Sequence, residues 1–272
     1  MMRVEIAHPE GIRWNPECET GDGVLVLAGS SGRIDGQRAR IFAGEGCVAE
    51  SIRWFGGPGQ HDGPWDIPLE MFLGRIDVLK RDCDRVYVVG TSFGAEAALL
   101  CGAHSASVDG VVAFAPSDVV WAGYDGAHAE TSHWTLTGAR LPYVPFDWRQ
   151  DVKENPPRFR PLYEGSRQTF AEHIPAATIA VEGIRSLILV AGGDDQVWPS
   201  VAHAERIQRL RASHGLTTTI VAEREAGHRT VLPGEPVVTG GMTMQRGGTE
   251  AADRRLGSRA WEVITDLFAL SR

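Results

Sequence analysis

The chain has 272 residues, 43% of them hydrophobic, and a formal net charge of −8. That length suits one α/β domain with an inserted segment better than two small domains. The acidic balance leaves no cationic excess to neutralise phosphates, which argues against a nucleic-acid partner. No window has the ~18 consecutive apolar residues that a membrane span needs.

The N-terminus, M-M-R-V-E-I-A-H-P-E, has no apolar core of the kind a secretory signal carries, so a cytoplasmic protein is expected. Cys18, Cys47, Cys83 and Cys101 lack C-x-x-C spacing and the density of a disulfide scaffold, and are expected to be reduced and mostly buried. No His/Cys/carboxylate cluster has metal-ligand spacing, and no cofactor motif stands out.

In chain order, residues 3–8 can form an edge strand, and the segment to Gly23 is turn-rich. Val24-Leu25-Val26-Leu27-Ala28 is the first buried strand and runs into the small-residue loop Gly29-Ser30-Ser31-Gly32. A helix follows from about Asp35 to Ala43, stopped by Gly44-Glu45-Gly46. Cys47 to Trp54 is the next strand, followed by a loop rich in Gly and Pro. Leu69, Phe72, Leu73, Ile76 and Leu79 have the 3–4 spacing of an amphipathic helix.

Val86-Tyr87-Val88-Val89 is an unbroken apolar run, and Ala95 to Leu100 is rich in strong helix formers. Between them lies Gly90-Thr91-Ser92-Phe93-Gly94, a G-x-S-x-G sequence in the strand-to-helix context of a nucleophile elbow. The glycines are needed because a Cβ there would clash with the neighbouring strand and helix. Val108 to Ala115 is another buried strand. Alternating strands and helices to this point predict a parallel sheet with helices on both faces.

From residue 121 to 177 the alternation breaks down, and proline and aromatic residues accumulate. A long irregular segment in a compact domain usually covers a functional site, so a lid is expected here. The sheet resumes at Ser186–Ala191, followed by Gly192-Gly193-Asp194-Asp195-Gln196-Val197-Trp198-Pro199-Ser200 and a helix from about Val201 to Ser213. Thr217 to Ala222 is the last strand, with His228 on the loop after it. A long loop over 233–250 leads to a closing helix whose apolar face holds Trp261, Ile264, Leu267 and Phe268.

Ser92, Asp194 or Asp195, and His228 each follow a predicted buried strand, and parallel strands put those ends at one edge. The order Ser…Asp…His is that of the α/β-hydrolases. A serine hydroxyl is a poor nucleophile until an imidazole takes its proton, and the imidazole needs a carboxylate to fix its tautomer. The oxyanion donors expected are the N–H groups of Phe93 and of Ser30. Alternation along an extended segment lets only one of the adjacent aspartates reach His228. His104 and His203 are read as structural, His61 as able to line the pocket, and His128, His133 and His173 as lid residues.

The pieces V-G-T-S-F-G-A-E-A-A-L-L, V-V-A-F-A-P-S-D-V-V-W-A-G, A-G-G-D-D-Q-V-W-P-S, A-G-H and the late G-G-T-E-A resemble the C-terminal catalytic domain of the acyl-CoA thioesterase and bile-acid-CoA:amino-acid N-acyltransferase family, within the α/β-hydrolase superfamily. The eukaryotic members carry an N-terminal β-sandwich domain for which the roughly 20 residues before the first core strand leave no room, and the elbow has Phe93 where the family often has Lys. The resemblance implies an α/β-hydrolase fold with Asp195, the aspartate that precedes Pro199 in the superfamily's loop pattern, as the acid. It also implies hydrolysis of an acyl thioester or ester through acyl-Ser92, since transferase members use Cys. The alternatives are an acyltransferase and a non-catalytic binder on the same fold. Arg149, Lys153, Arg158, Arg160 and Arg167 form a basic cluster that could meet an anionic leaving group such as CoA, or simply be a solvated face. The oligomeric state is open.

Overall fold

A computed structural model describes residues 1–124, 129–237 and 242–269. In chain order its elements are β1 (Met2–Ile6), β2 (Gly11–Asn15), β3 (Asp22–Leu27), α1 (Gly36–Gly44), β4 (Val48–Ile52), β5 (Ile67–Pro68), α2 (Glu70–Asp82), β6 (Arg85–Thr91), α3 (Phe93–His104) and β7 (Gly110–Phe114). There follow β8 (Ala122–Tyr124), β9 (Glu130–Ser132), β10 (Trp134–Leu136), β11 (Ala139–Arg140), α4 (Arg160–Thr169), α5 (Ile174–Ala177), β12 (Ser186–Gly192), α6 (Ser200–Ser213), β13 (Thr219–Glu223) and α7 (Glu250–Ala269).

Eight strands form the central sheet in the order β1-β2-β4-β3-β6-β7-β12-β13. The six from β4 to β13 run parallel, and β1 and β2 add an antiparallel edge. This is the α/β-hydrolase fold, a mostly parallel sheet with helices on both faces. The residues dictate two covered faces. Alternate side chains of a strand point to opposite sides, and here both sets are apolar. Leu25, Leu27, Val86, Val88, Val111, Ala113, Leu187 and Leu189 pack with Phe72 and Ile76 of α2, Leu99 of α3 and Ile207 of α6. Their neighbours Val24, Val26, Tyr87, Val89, Val112, Phe114, Ile188 and Val190 pack with Phe42 of α1 and Leu256, Ile264 and Phe268 of α7.

Two expectations shift. The segment before Gly23 is not merely turns: β2 lies between β1 and β4. Its residues G-I-R-W-N carry little strand signal because Pro9, Gly11, Asn15 and Pro16 punctuate it. Gly11 is pressed onto β4, where a Cβ would stand 2.6 Å from Ser51 O. The described residues of the 121–177 segment also hold more regular structure than their composition suggests. They form the β8–β9 ladder, the β10–β11 ladder joined in parallel to β5, and α4 and α5. Strands of two or three residues are too short for periodicity to reveal.

That segment is anchored from below by a buried acid. Glu96 of α3 accepts the Trp134 indole N–H at 2.7 Å and the Trp121 N–H at 3.2 Å. All three residues are buried, and burial pushes the Glu96 carboxyl well above the usual carboxylate range. A third aromatic cluster, with Trp121, Val144, Tyr163 and Trp198, fills the space above.

A second buried polar link ties α1 to the chain after β13. Arg38 Nε and Nη2 donate to Glu235 at 2.9 and 2.8 Å, Nη1 to Thr91 Oγ1 at 2.8 Å and Nη2 to Thr230 O at 2.9 Å. Thr91 precedes Ser92, and Thr230 lies two residues beyond His228, so one guanidinium fixes both loops. Removing one partner of such a pair strands a buried charge. Arg38→Met should therefore cost roughly 3–5 kcal/mol in urea denaturation, and Arg38→Met with Glu235→Leu should recover part of that loss. A double variant no more stable than Arg38→Met would show that the stranded carboxylate was not the source.

Candidate active site

Ser92 sits between β6 and α3 with φ 60° and ψ −123°, a conformation that non-glycine residues rarely adopt. The surroundings enforce it. A Cβ on Gly90 would stand 1.9 Å from Gly94 O, and one on Gly94 would stand 2.2 Å from Ala28 O. Strand and helix thus meet at a corner only glycine fits, and Ser92 is thrust out at its apex. Its N–H donates to Phe114 O at 2.9 Å, and its carbonyl opens α3 by accepting from Ala95 and Glu96.

The loops after β12 and β13 bring Asp195 and His228 together, with Asp195 Oδ2 2.8 Å from His228 Nδ1. Asp195 is fully buried and richly held. Its Oδ1 accepts the N–H groups of Val197 at 2.8 Å and Trp198 at 3.2 Å, and its Oδ2 also accepts the Ser200 hydroxyl. Asp194 faces elsewhere: it accepts from Gly248 N at 2.8 Å and Gln196 Nε2 at 2.6 Å, and so shapes the turn. The His228 loop leans on the late Gly-rich segment, since His228 N donates to Arg246 O at 2.8 Å and Gly227 N to Asp253 Oδ1 at 2.7 Å. The Trp198 ring meets the imidazole edge-on at 5.6 Å.

Ser92 and His228 line one open cleft of about 1320 Å³, solvent at its mouth included. Among the described residues no hydrogen bond joins Ser92 Oγ to the imidazole. Ser30 and Phe93 line the cleft too. Phe93 is the first residue of α3, so its N–H has no intrahelical acceptor. Gly29 comes so near the elbow that a Cβ on it would stand 3.1 Å from Ser92 Cβ. The 121–177 segment supplies Tyr124, Phe146, Trp148, Leu162 and Tyr163 to the cleft wall. Trp148 is 45% exposed there.

The other histidines are distributed by packing. His133 is buried and stacked on Phe93 at 4.0 Å, and burial pulls its pKa down to about 3. His203 is buried against Asp118. His61 packs edge-on against Trp65 and does not reach the cleft lining, His173 is exposed beside Glu172, and His128 lies outside the described residues. Cys47, Cys83 and Cys101 are buried and Cys18 is exposed. Among the described residues no group of His, Cys, Asp and Glu is arranged to hold a metal ion, and no helix is long and apolar enough to cross a membrane.

The basic cluster, which could have met an anionic leaving group or been a solvated face, is engaged in ion pairs. Arg149 pairs with Asp147, Lys153 with Asp151, Arg158 with Glu154, Arg160 with Glu164 and Arg167 with Asp118, and none of the five lines the cleft. The arginines that do line it are Arg33, Arg38, Arg229 and Arg246. Arg229 adjoins His228, a proximity that could have flagged it; Arg33 and Arg246 lie on irregular loops that carry no periodic signal.

The family model for "BAAT / Acyl-CoA thioester hydrolase C terminal" matches residues 68–269. Among curated proteins, none matches the chain. Similar solved structures include a putative dienelactone hydrolase from Klebsiella pneumoniae subsp. pneumoniae MGH 78578, at 15% identity and TM-score 0.56 over 98% of this chain and 97% of that one. The acylaminoacyl peptidase of Pyrococcus horikoshii is similar at 11% identity and TM-score 0.56 over 98% of this chain but only 40% of its own. At such identities these neighbours speak for the fold, whereas the family match spans most of the sequence, elbow, Asp195 and His228 included: the chain belongs to the BAAT / acyl-CoA thioester hydrolase C-terminal family.

Proposed function

We propose that this protein is a serine hydrolase that cleaves an acyl ester or thioester through an acyl-Ser92 intermediate. The observation that carries the reading is that His228, paired with the buried Asp195, lines the same cleft as a serine held at a strained elbow. Family membership supports hydrolase chemistry on this fold.

In this reading the Ser92 hydroxyl attacks the acyl carbon while His228 takes its proton at Nε2. Asp195, bonded at Nδ1, holds the tautomer and stabilises the imidazolium. The tetrahedral oxygen accepts the N–H groups of Phe93 and Ser30. His228 then protonates the departing alkoxide or thiolate, and water, deprotonated in turn by His228, releases the acid. The Ser–His hydrogen bond absent in the free protein forms in the substrate complex, as catalytic hydrogen bonds often tighten only then. The donors on Asp195 hold its buried carboxylate in position beside His228. The 121–177 segment serves as the lid, and its aromatic wall holds the acyl group.

Four experiments test this reading. A fluorophosphonate should label wild-type protein at Ser92 and leave Ser92→Ala unlabelled; absence of any adduct on folded wild type would favour a binding protein. Asp195→Asn should lower kcat by up to ~10⁴-fold, as loss of the tautomer-fixing charge does in serine triads. Asp194→Asn should instead lower stability by about 1 kcal/mol, the worth of a hydrogen bond. The reverse pattern in kcat and melting temperature would reassign the acid. Because Trp121 and Trp134 belong to the core, the lid is best probed at its rim rather than by deletion. Trp148→Ala should reduce kcat/KM for a long-chain p-nitrophenyl ester about tenfold more than for the acetate, since only the long chain uses that remote contact. Equal losses would remove Trp148 from the acyl wall. Product formation that rises with an added amine above the rate of hydrolysis would point to acyl transfer.

A further inference from the structure

The central sheet begins at β1, and among the described residues no strand pairs with its outer side. In an antiparallel ladder, alternate residues turn both N–H and C=O away from the neighbouring strand. β2 engages one alternate set on β1, so the other set points outward along an unpaired edge. Met2, Arg3, Val4 and Glu5 are all exposed there.

The side chains of β1 divide by face. Met2, Val4 and Ile6 share one face, and Arg3 and Glu5 share the other. Ile6 packs against the cluster that holds Phe72 and Ile76 of α2, and the apolar stripe runs on through Val4 and Met2 into solvent. Of the six large apolar side chains exposed among the described residues, three are Met1, Met2 and Val4, so exposed apolar surface gathers at this edge. On the other face Arg3 Nη2 and Glu5 Oε1 stand 2.8 Å apart, both side chains reaching into solvent.

This pattern is complementary to itself. When two copies of one strand pair antiparallel, outward-facing residues must meet outward-facing residues, so odd positions oppose odd and even oppose even. A two-fold pairing of β1 must then centre on a residue. Centred on Arg3 or on Glu5, it sets that charge against its own copy, which is unfavourable. Centred on Val4, it sets Arg3 opposite the second copy's Glu5 twice over, Val4 opposite Val4 and Met2 opposite Ile6. Charges on an edge strand often guard it against association. Here they exclude the neighbouring registers and favour the one that aligns the whole strand.

We propose that β1 is a docking edge for a second copy of this chain, paired antiparallel about Val4 so that two sheets join into one across a two-fold axis. The contact is isologous and closes at the dimer. It is independent of the hydrolase reading, because it involves no residue of the cleft. Five residue pairs bury less than the ~1,200 Å2 of a standard interface, so a dissociation constant of roughly 10–100 µM is expected.

Sedimentation velocity of the full chain over a concentration series spanning that range tests it. Wild type should pass from monomer to dimer. Arg3→Glu alone and Glu5→Arg alone set like charges across both flanking pairs, and each should weaken the dimer about tenfold or more. An equimolar mixture of the two single variants should regain it, since each then meets opposite charge, and so should the double variant Arg3→Glu/Glu5→Arg. That recovery separates a lost contact from a damaged hairpin. A wild type that stays monomeric leaves the edge to a strand of another chain and overturns the proposal. A dimer indifferent to both single reversals, or one that the mixture and the double variant fail to restore, also overturns it. Species larger than a dimer would mean head-to-tail pairing and would overturn it too.

Discussion

Gly94 lies so close to the end of β3 that a Cβ on it would stand 2.2 Å from Ala28 O, while one on Gly90 would run into Gly94 itself. This corner, where strand, turn and helix touch backbone to backbone, governs the rest of the site. It forces Ser92 to a φ of 60°, aims its side chain into the cleft and leaves the first amides of α3 without helical acceptors. Gly29, nearly touching Ser92 Cβ, carries the β3 loop and its amides to the same spot. A side chain on Gly90 would push β6 from α3, and one on Gly94 would push α3 from the end of β3.

Around that corner the fold places buried charge where it is fully compensated. Asp195 has three donors besides His228, and Glu235 shares two hydrogen bonds with Arg38, whose remaining donors reach Thr91 and Thr230. Glu96 is handled in another way: it has two neutral donors, and burial pushes its carboxyl toward the protonated form. It fastens Trp121 and Trp134 to α3, the same helix that begins at the elbow. Rigid support beneath a reactive centre is what keeps its geometry.

The distribution of arginine makes a similar point about surfaces. Each of the five cations in 149–167 has a nearby acid, four of them within five residues along the chain, and exposed pairs of that kind contribute little beyond solubility. Arg33, Arg229 and Arg246 come from distant parts of the chain and converge on the cleft. A cation's value to recognition depends on what the fold sets beside it.

Much of this protein was legible without coordinates. The β6–α3 junction reads directly, because a buried strand, a G-x-S-x-G turn and an Ala-rich helix are local features coded within sixteen residues. The strand–helix alternation fixes which loops end at one edge of the sheet, and so groups Ser92, Asp195 and His228. Other features depend on contacts between remote segments and have no local signature. β2 exists because β4 and β1 flank it, despite its Gly, Asn and neighbouring prolines. The ladders in 121–177 are held by pairing with β5 and by Glu96 rather than by their own propensity. The choice of Asp195 over Asp194 as the neighbour of His228 was implied by the resemblance, through the superfamily's aspartate-to-proline loop pattern. The hydrogen bonds from Val197, Trp198 and Ser200 that make a buried carboxylate tolerable there, like the meeting of Arg33, Arg229 and Arg246, were decided only when the chain closed on itself.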